Sequence, residues 1–116
     1  MHIYKLGDRL ENLSRSEFLK SANAVFYGDA PAESIRIDGG DLSGPWTLGT
    51  WAVERGEFDL TYAMSEYCTI LEGRVIVAQG DRQAELAAGD SFFTPKGETV
   101  RWQVIEPVKK SFVIIP

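Results

Sequence analysis

From Ala24 onward the chain breaks into short runs rich in β-branched and aromatic residues. They are Ala24–Tyr27, Ser34–Ile37, Leu48–Val53, Phe58–Ala63, Tyr67–Leu71, Arg74–Ala78, Ala84–Leu86, Ser91–Thr94, Thr99–Ile105 and Ser111–Ile115. Between them fall Gly39-Gly40, Gly44-Pro45, Gly56, Gly73, Gly80-Asp81, Gly89-Asp90, Pro95-Lys96-Gly97 and Pro107. In Val100-Arg101-Trp102-Gln103-Val104 apolar and polar positions alternate, the period of a strand with one face on a core and the other toward water. Strands recurring at about 8–12 residues without helical crossovers predict an all-β protein, an antiparallel sandwich or barrel. Glu72-Gly73 reads as a tight turn between two apolar runs, and Gly80-Asp81 as another. The stretch from Gly28 to Pro45 reads as a long loop holding one strand. A short N-terminal helix is predicted ahead of the strands, from Arg15 to Ala22, because Ser14 and Glu17 have capping-box spacing and Phe18 and Leu19 follow.

Composition narrows the class. A chain of 116 residues and 12.9 kDa fits one domain. With 44% hydrophobic and 25% charged residues it is neither a disordered tail, a collagen-like array nor a disulfide miniprotein. Twelve Lys and Arg against seventeen Asp and Glu give a net charge of −5, which repels phosphate backbones and anionic membrane surfaces. Lys109-Lys110 is too short for a nucleic-acid patch. The expectation is therefore no nucleic acid and no membrane as partner. Cys68 is the single cysteine, so no internal disulfide forms. The Met1–Asp8 start has no apolar run behind a basic stretch, and nothing in the chain approaches the ~18 apolar residues that span a bilayer. A cytoplasmic location is expected, which makes the acceptor-like Asn12-Leu13-Ser14 a chance match.

Two segments carry more specific information. One reads Gly56-Glu57-Phe58-Asp59-Leu60-Thr61-Tyr62-Ala63-Met64-Ser65-Glu66-Tyr67-Cys68-Thr69-Ile70-Leu71-Glu72-Gly73. The other reads Gly89-Asp90-Ser91-Phe92-Phe93-Thr94-Pro95-Lys96-Gly97-Glu98-Thr99-Val100. Six residues separate Glu66 from Gly73, five separate Gly89 from Pro95-x-Gly97, and fifteen separate Gly73 from Gly89. This order and spacing resembles the two motifs of the cupin superfamily, small β-barrels of jelly-roll type, over residues 48–115. The set Trp51, Gly56-x-Phe58, Glu66-x-Cys68-x-Ile70-Leu71-Glu72-Gly73, Arg101-Trp102 and Glu106-Pro107-Val108-x-Lys110 is similar to the short single-domain cupins of the ureidoglycine aminohydrolase type. The resemblance implies one cupin domain, with residues 1–47 as an N-terminal extension with strands and 48–116 as the barrel core. It also implies a homodimer, for which exposed edge strands would be available.

In the family, three His and one Glu hold a divalent metal. Aligning on Glu66 and Gly73 puts Asp59 and Thr61 at the two His positions of the first motif, and Val100 at the third. The one histidine, His2, lies outside both motifs, so Glu66 alone survives of the four ligands. No cofactor is expected; any divalent metal would fall to Glu66 and Asp59, hard oxygen ligands. Strand parity puts Glu66, Cys68 and Ile70 on one face, Asp59 and Thr61 on one, and Val100, Trp102 and Val104 on one. The expected ligand pocket is Trp51, Asp59, Thr61, Glu66, Cys68, Val100, Trp102 and Lys110. Glu66 is the candidate catalytic group, or else a carboxylate paired with Lys or Arg. Lys110 either pairs with Glu66 or Asp59 at the barrel mouth or is a solvated edge lysine. Cys68 is a buried hydrophobe rather than a nucleophile, lacking a histidine to activate it. The functional expectation is a cupin that binds a small polar metabolite in its cavity without the three-His site. The alternative is a metal-assisted or Glu-assisted hydrolase or isomerase of the ureidoglycine aminohydrolase type.

Overall fold

The computed structural model describes residues 1, 3–13, 17–41 and 44–116, with the backbone alone for 11–13. Among these described residues, nine strands and one short helix follow in the order β1 (Glu11–Leu13), α1 (Glu17–Ser21), β2 (Val25–Phe26), β3 (Glu33–Gly40), β4 (Thr47–Val53), β5 (Gly56–Thr61), β6 (Ser65–Gln79), β7 (Arg82–Ala87), β8 (Ser91–Thr94) and β9 (Thr99–Ile115). Every ladder is antiparallel. The all-β jelly roll with a short N-terminal helix is thus the observed architecture.

Two long strands organise it. The first half of β6 pairs with β8 and with the second half of β9, which continues onto β4, β3 and β1. The second half of β6 pairs with β7 and with the first half of β9, which continues onto β5 and β2. Each long strand therefore belongs to both sheets and turns a corner between them. Sheet-switching strands make such corners with bulges, and here the β6–β9 register shifts between Ile70 and Val75. Gly73 has φ +89°, and a Cβ there would run into the carbonyl of Pro107.

That corner corrects the sequence reading. Glu72-Gly73 and Pro107 are not strand ends; they bend continuous strands, and Pro107 sits at a bulge, where a missing N–H is tolerated. The extra residues also reverse side-chain parity, so that Glu66, Cys68 and Ile70 are buried before the corner and Val75 after it. Gly80-Asp81 does form the two-residue hairpin, with Gln79 opposite Arg82. Gly39-Gly40 is the end of β3 at a bulge rather than a break, so Gly28–Pro45 holds an eight-residue strand. The β3–β4 ladder joins residues 33–40 to 47–53 across the line at 47/48.

The core is the space between the sheets, filled by Trp102, Phe58, Ile70, Val75, Val108 and Leu19, each essentially without exposed surface. The predicted helix is the five-residue α1; the Ser14 of its expected capping box lies outside the described residues. It ends on Asn23 at φ +58°, with the Ala24 N–H donating to the Leu19 carbonyl, a left-handed cap. No helix among the described residues is long and apolar enough to cross a membrane.

Candidate functional site

Alternation along β4, β6 and β9 delivers the inner residues to one place. Trp51 and Lys110 are direct partners on β4 and β9, and Lys110 is also opposite Ile70 on β6. Glu66 lies two inward positions from Ile70, within reach of that lysine. Lys110 Nζ donates to Glu66 Oε2 at 2.8 Å, and both side chains are buried, 5% and 9% exposed. The ammonium also lies 4.9 Å from the ring centres of Trp51 and Trp102 and 5.8 Å from that of Phe112. A desolvated cation is thus compensated by one carboxylate and three aromatic faces. Trp51 meets Trp102 edge-on at 5.9 Å, and Phe58 stacks on the other indole at 6.0 Å, which fixes the rings around the amine.

A second buried carboxylate, absent from the sequence expectations, lies beside this cage. Glu33 Oε1 accepts the Trp51 indole N–H at 2.9 Å and Oε2 accepts the Leu19 amide at 3.2 Å. Burial pushes its pKa above the ordinary carboxylate value, outweighing the N–H donors that pull it down. Tyr62, also unforeseen, takes the Trp102 indole N–H on its hydroxyl at 3.1 Å; burial raises its pKa well above the ordinary phenol value. No local pattern marks either residue, because both act through partners far along the chain.

The expected pocket divides accordingly. Trp51, Glu66, Cys68, Val100, Trp102 and Lys110 face the interior. Asp59 does not, and Thr61 is exposed. Phe58 and Leu60 are the buried residues of β5, so the intervening Asp59 turns outward, where it accepts from Arg101 Nε at 2.8 Å and from the Tyr27 hydroxyl at 2.7 Å. Thr61 stands at the end of β5, its hydroxyl 2.8 Å from that of Thr99, and it joins Glu66 in lining a cleft between α1 and the β5–β6 turn. Cys68 is 1% exposed, and burial pushes its thiol up to about 11. Of the two alternatives for Lys110, the buried pair with Glu66 is the one observed.

This donor set does not fit the divalent metal of the family. The inward residues near the first motif are Leu60 and Tyr62, and the third His position is the buried Val100. Asp59 and Glu66 point to opposite faces and cannot share an ion, while Glu66 already holds an ammonium. Among the described residues no three His, Cys, Asp or Glu side chains cluster as a metal site.

Space for a ligand lies beside the cage. A cleft of about 330 Å³ runs between α1 and the β5–β6 turn, walled by Phe18, Ala22, Leu60, Met64 and Ile114, with Thr47, Tyr62 and Glu66 as its deeper polar groups. A comparable cleft of about 360 Å³ lies on the outer face under residues 4–8; there Arg36 is already held by Asp8 and Asp38.

Fold and interior together define a jelly-roll barrel of the cupin superfamily with an internal ion pair. Residues 40–112 match the family described as the EutQ-like cupin domain, and the chain belongs to it. A Salmonella typhimurium LT2 structure described as ethanolamine utilization protein Q is similar with a TM-score of 0.63 and 21% identity, over 73% of this chain and 70% of its own. A Rhizobium leguminosarum protein of unknown function gives 0.64 and 27%, over 72% and 81%. A Pseudomonas syringae protein of unknown function gives 0.77 and 18% over 93% of this chain, which spans 45% of that protein. No functionally curated protein matches the chain.

Proposed function

We propose that this domain binds a small polar metabolite without a metal, in the cleft between α1 and the β5–β6 turn. The carrying observation is Glu66: a buried carboxylate on the wall of a ligand-sized cleft, its charge compensated from beneath by Lys110. Small-molecule sites combine mostly apolar walls with a few fixed polar groups, and the cleft falls in their usual volume range of about 300–1,000 Å³. The Glu66 carboxylate can accept hydrogen bonds from a ligand's N–H or O–H groups. The inward Leu60, Tyr62 and Val100 supply no imidazole to hold a water-activating metal, which favours binding over metal-assisted hydrolysis of the ureidoglycine aminohydrolase type. A thermal-shift and calorimetric panel of amino acids, ureides and sugars tests this. A binder whose effect is lost in Ala63→Trp, which blocks the cleft from its rim without touching the ion pair, supports the reading. No binder, or one indifferent to Ala63→Trp, overturns it.

We also propose a second copy of the chain as the partner of one sheet face. Phe93, Tyr67, Val113 and Leu48 form an outward row across β8, β6, β9 and β4, flanked by Ser91, Thr69, Ser111 and Thr50. Residues 4–8 and Arg36, which is held by Asp8 and Asp38, cover the Thr50 end of this face, so the pairing would use its uncharged, exposed side at Phe93, Tyr67 and Val113. Light scattering of wild type and Tyr67→Lys tests it: a dimer that Tyr67→Lys splits supports the pairing, and a monomeric wild type at micromolar concentration removes it.

A further inference from the structure

Five residues are too few to hold a helix in water, yet Leu19 of α1 has no exposed surface. The barrel holds it. Glu33 bridges the Leu19 amide and the Trp51 indole, one oxygen to each. Beneath α1, Phe18 and Leu19 roof a void of about 10 Å³, room for about one water. Its other walls are Ile35, Trp51, Leu60, Trp102, Lys110 and Phe112. Phe18 and Leu60 also wall the 330 Å³ cleft. Lifting α1 therefore joins the two spaces and uncovers the aromatic cage.

We propose that α1 is a displaceable plug, latched by Glu33, over an internal chamber floored by Trp51, Trp102 and the Lys110–Glu66 pair. The proposal rests on the binding function above and narrows its ligand. A molecule taking the place of α1 replaces an apolar side chain and an N–H donor to Glu33. Two carboxylates and one ammonium leave the chamber a formal −1, which disfavours anions. The class that fits is a small compound with an apolar body and an amide or amine N–H.

Hydrogen exchange followed by NMR, on ligand-free protein, tests the plug, because two of the three indoles report on different events. The Trp51 N–H is covered by the latch and the Trp102 N–H by Tyr62 in the core. The Leu19 amide and Trp51 indole are expected to share one opening equilibrium, with exchange, corrected for intrinsic rates, at least about tenfold faster than at the Trp102 indole and the hydrogen-bonded β9 amides. Glu33→Gln removes one of the two acceptors and is expected to speed both by about fivefold or more without moving Trp102. A Trp51 indole that opens only together with Trp102 overturns the plug. So does a Leu19 amide that opens while Trp51 stays protected, since that is fraying alone. If Glu33→Gln does not fold, the wild-type comparison still decides. The readout needs no ligand: co-exchange with an empty binding panel would leave the plug and remove the function, and a binder to a chamber that never opens would do the reverse.

Discussion

At the scale of single residues, the interior turns on Lys110. A lone buried ammonium would be expelled or neutralised, and a lone buried carboxylate likewise; together, with Trp51, Trp102 and Phe112 around the amine, they are tolerated. Lys110→Met is expected to destabilise by about 3–5 kcal/mol because it strands Glu66, whereas Glu66→Leu with Lys110→Met should return most of that stability. Chemical denaturation of the two single variants and the double measures it, and a fully additive double variant would contradict it. Cys68, with its thiol raised and its side chain covered, should resist thiol reagents at pH 8 until the protein unfolds. Labelling at the rate of a free thiol under native conditions would count against the burial. The sequence already placed Glu66 with Cys68, and Trp102 with Val100, since parity within one strand is local. It placed Asp59 inward because counting back from Glu66 crosses the turn between β5 and β6, and a turn does not preserve parity; Thr61, on the same outward face, still reaches the cleft because it stands at the end of β5.

At the scale of elements, the corner and the plug are where local patterns ran out. Gly73 and Pro107 look like ends of strands, and only their pairing across β6 and β9 reveals a bend. Gly73→Ala is expected to destabilise by more than about 2 kcal/mol, from the positive φ and the encounter with the Pro107 carbonyl, as measured by thermal or urea unfolding. A neutral effect would mean that the corner relaxes freely. By contrast Ser91–Thr94 reads correctly to the residue, bounded by Gly89-Asp90 and Pro95. The α1 latch was illegible because Glu33 finds Leu19 and Trp51 only in three dimensions. Glu33 also has a pH signature. Its pKa is raised by burial, so the folded protein holds that proton more tightly than the unfolded chain, where glutamate titrates near about 4.3. Its contribution is greatest below that value and falls as pH rises through the folded-state pKa. The unfolding free energy of wild type minus that of Glu33→Gln should therefore decline through this window and then level off; a difference that grows with pH contradicts it. Asp59 runs the other way: hydrogen bonds from Arg101 and then Tyr27 lower its pKa, and its contribution fades as pH falls below the usual aspartate range.

At the scale of the whole molecule, the barrel keeps the motif turns and bends its long strands at Gly73 and Pro107, while its interior is closed by aromatic rings, an ion pair and a helix. The motif glycines and Pro95 carried the fold in the sequence because they answer to backbone geometry. The interior was only half legible, since an ion pair between residues 66 and 110 has no spacing rule. Glu66, the one motif carboxylate kept in this chain, is bound by the Lys110 ammonium. Calorimetric titration of chelator-treated protein with manganese, nickel and zinc should therefore show no one-to-one binding that depends on Glu66; a stoichiometric site abolished by Glu66→Gln would mean that the carboxylate serves a metal after all.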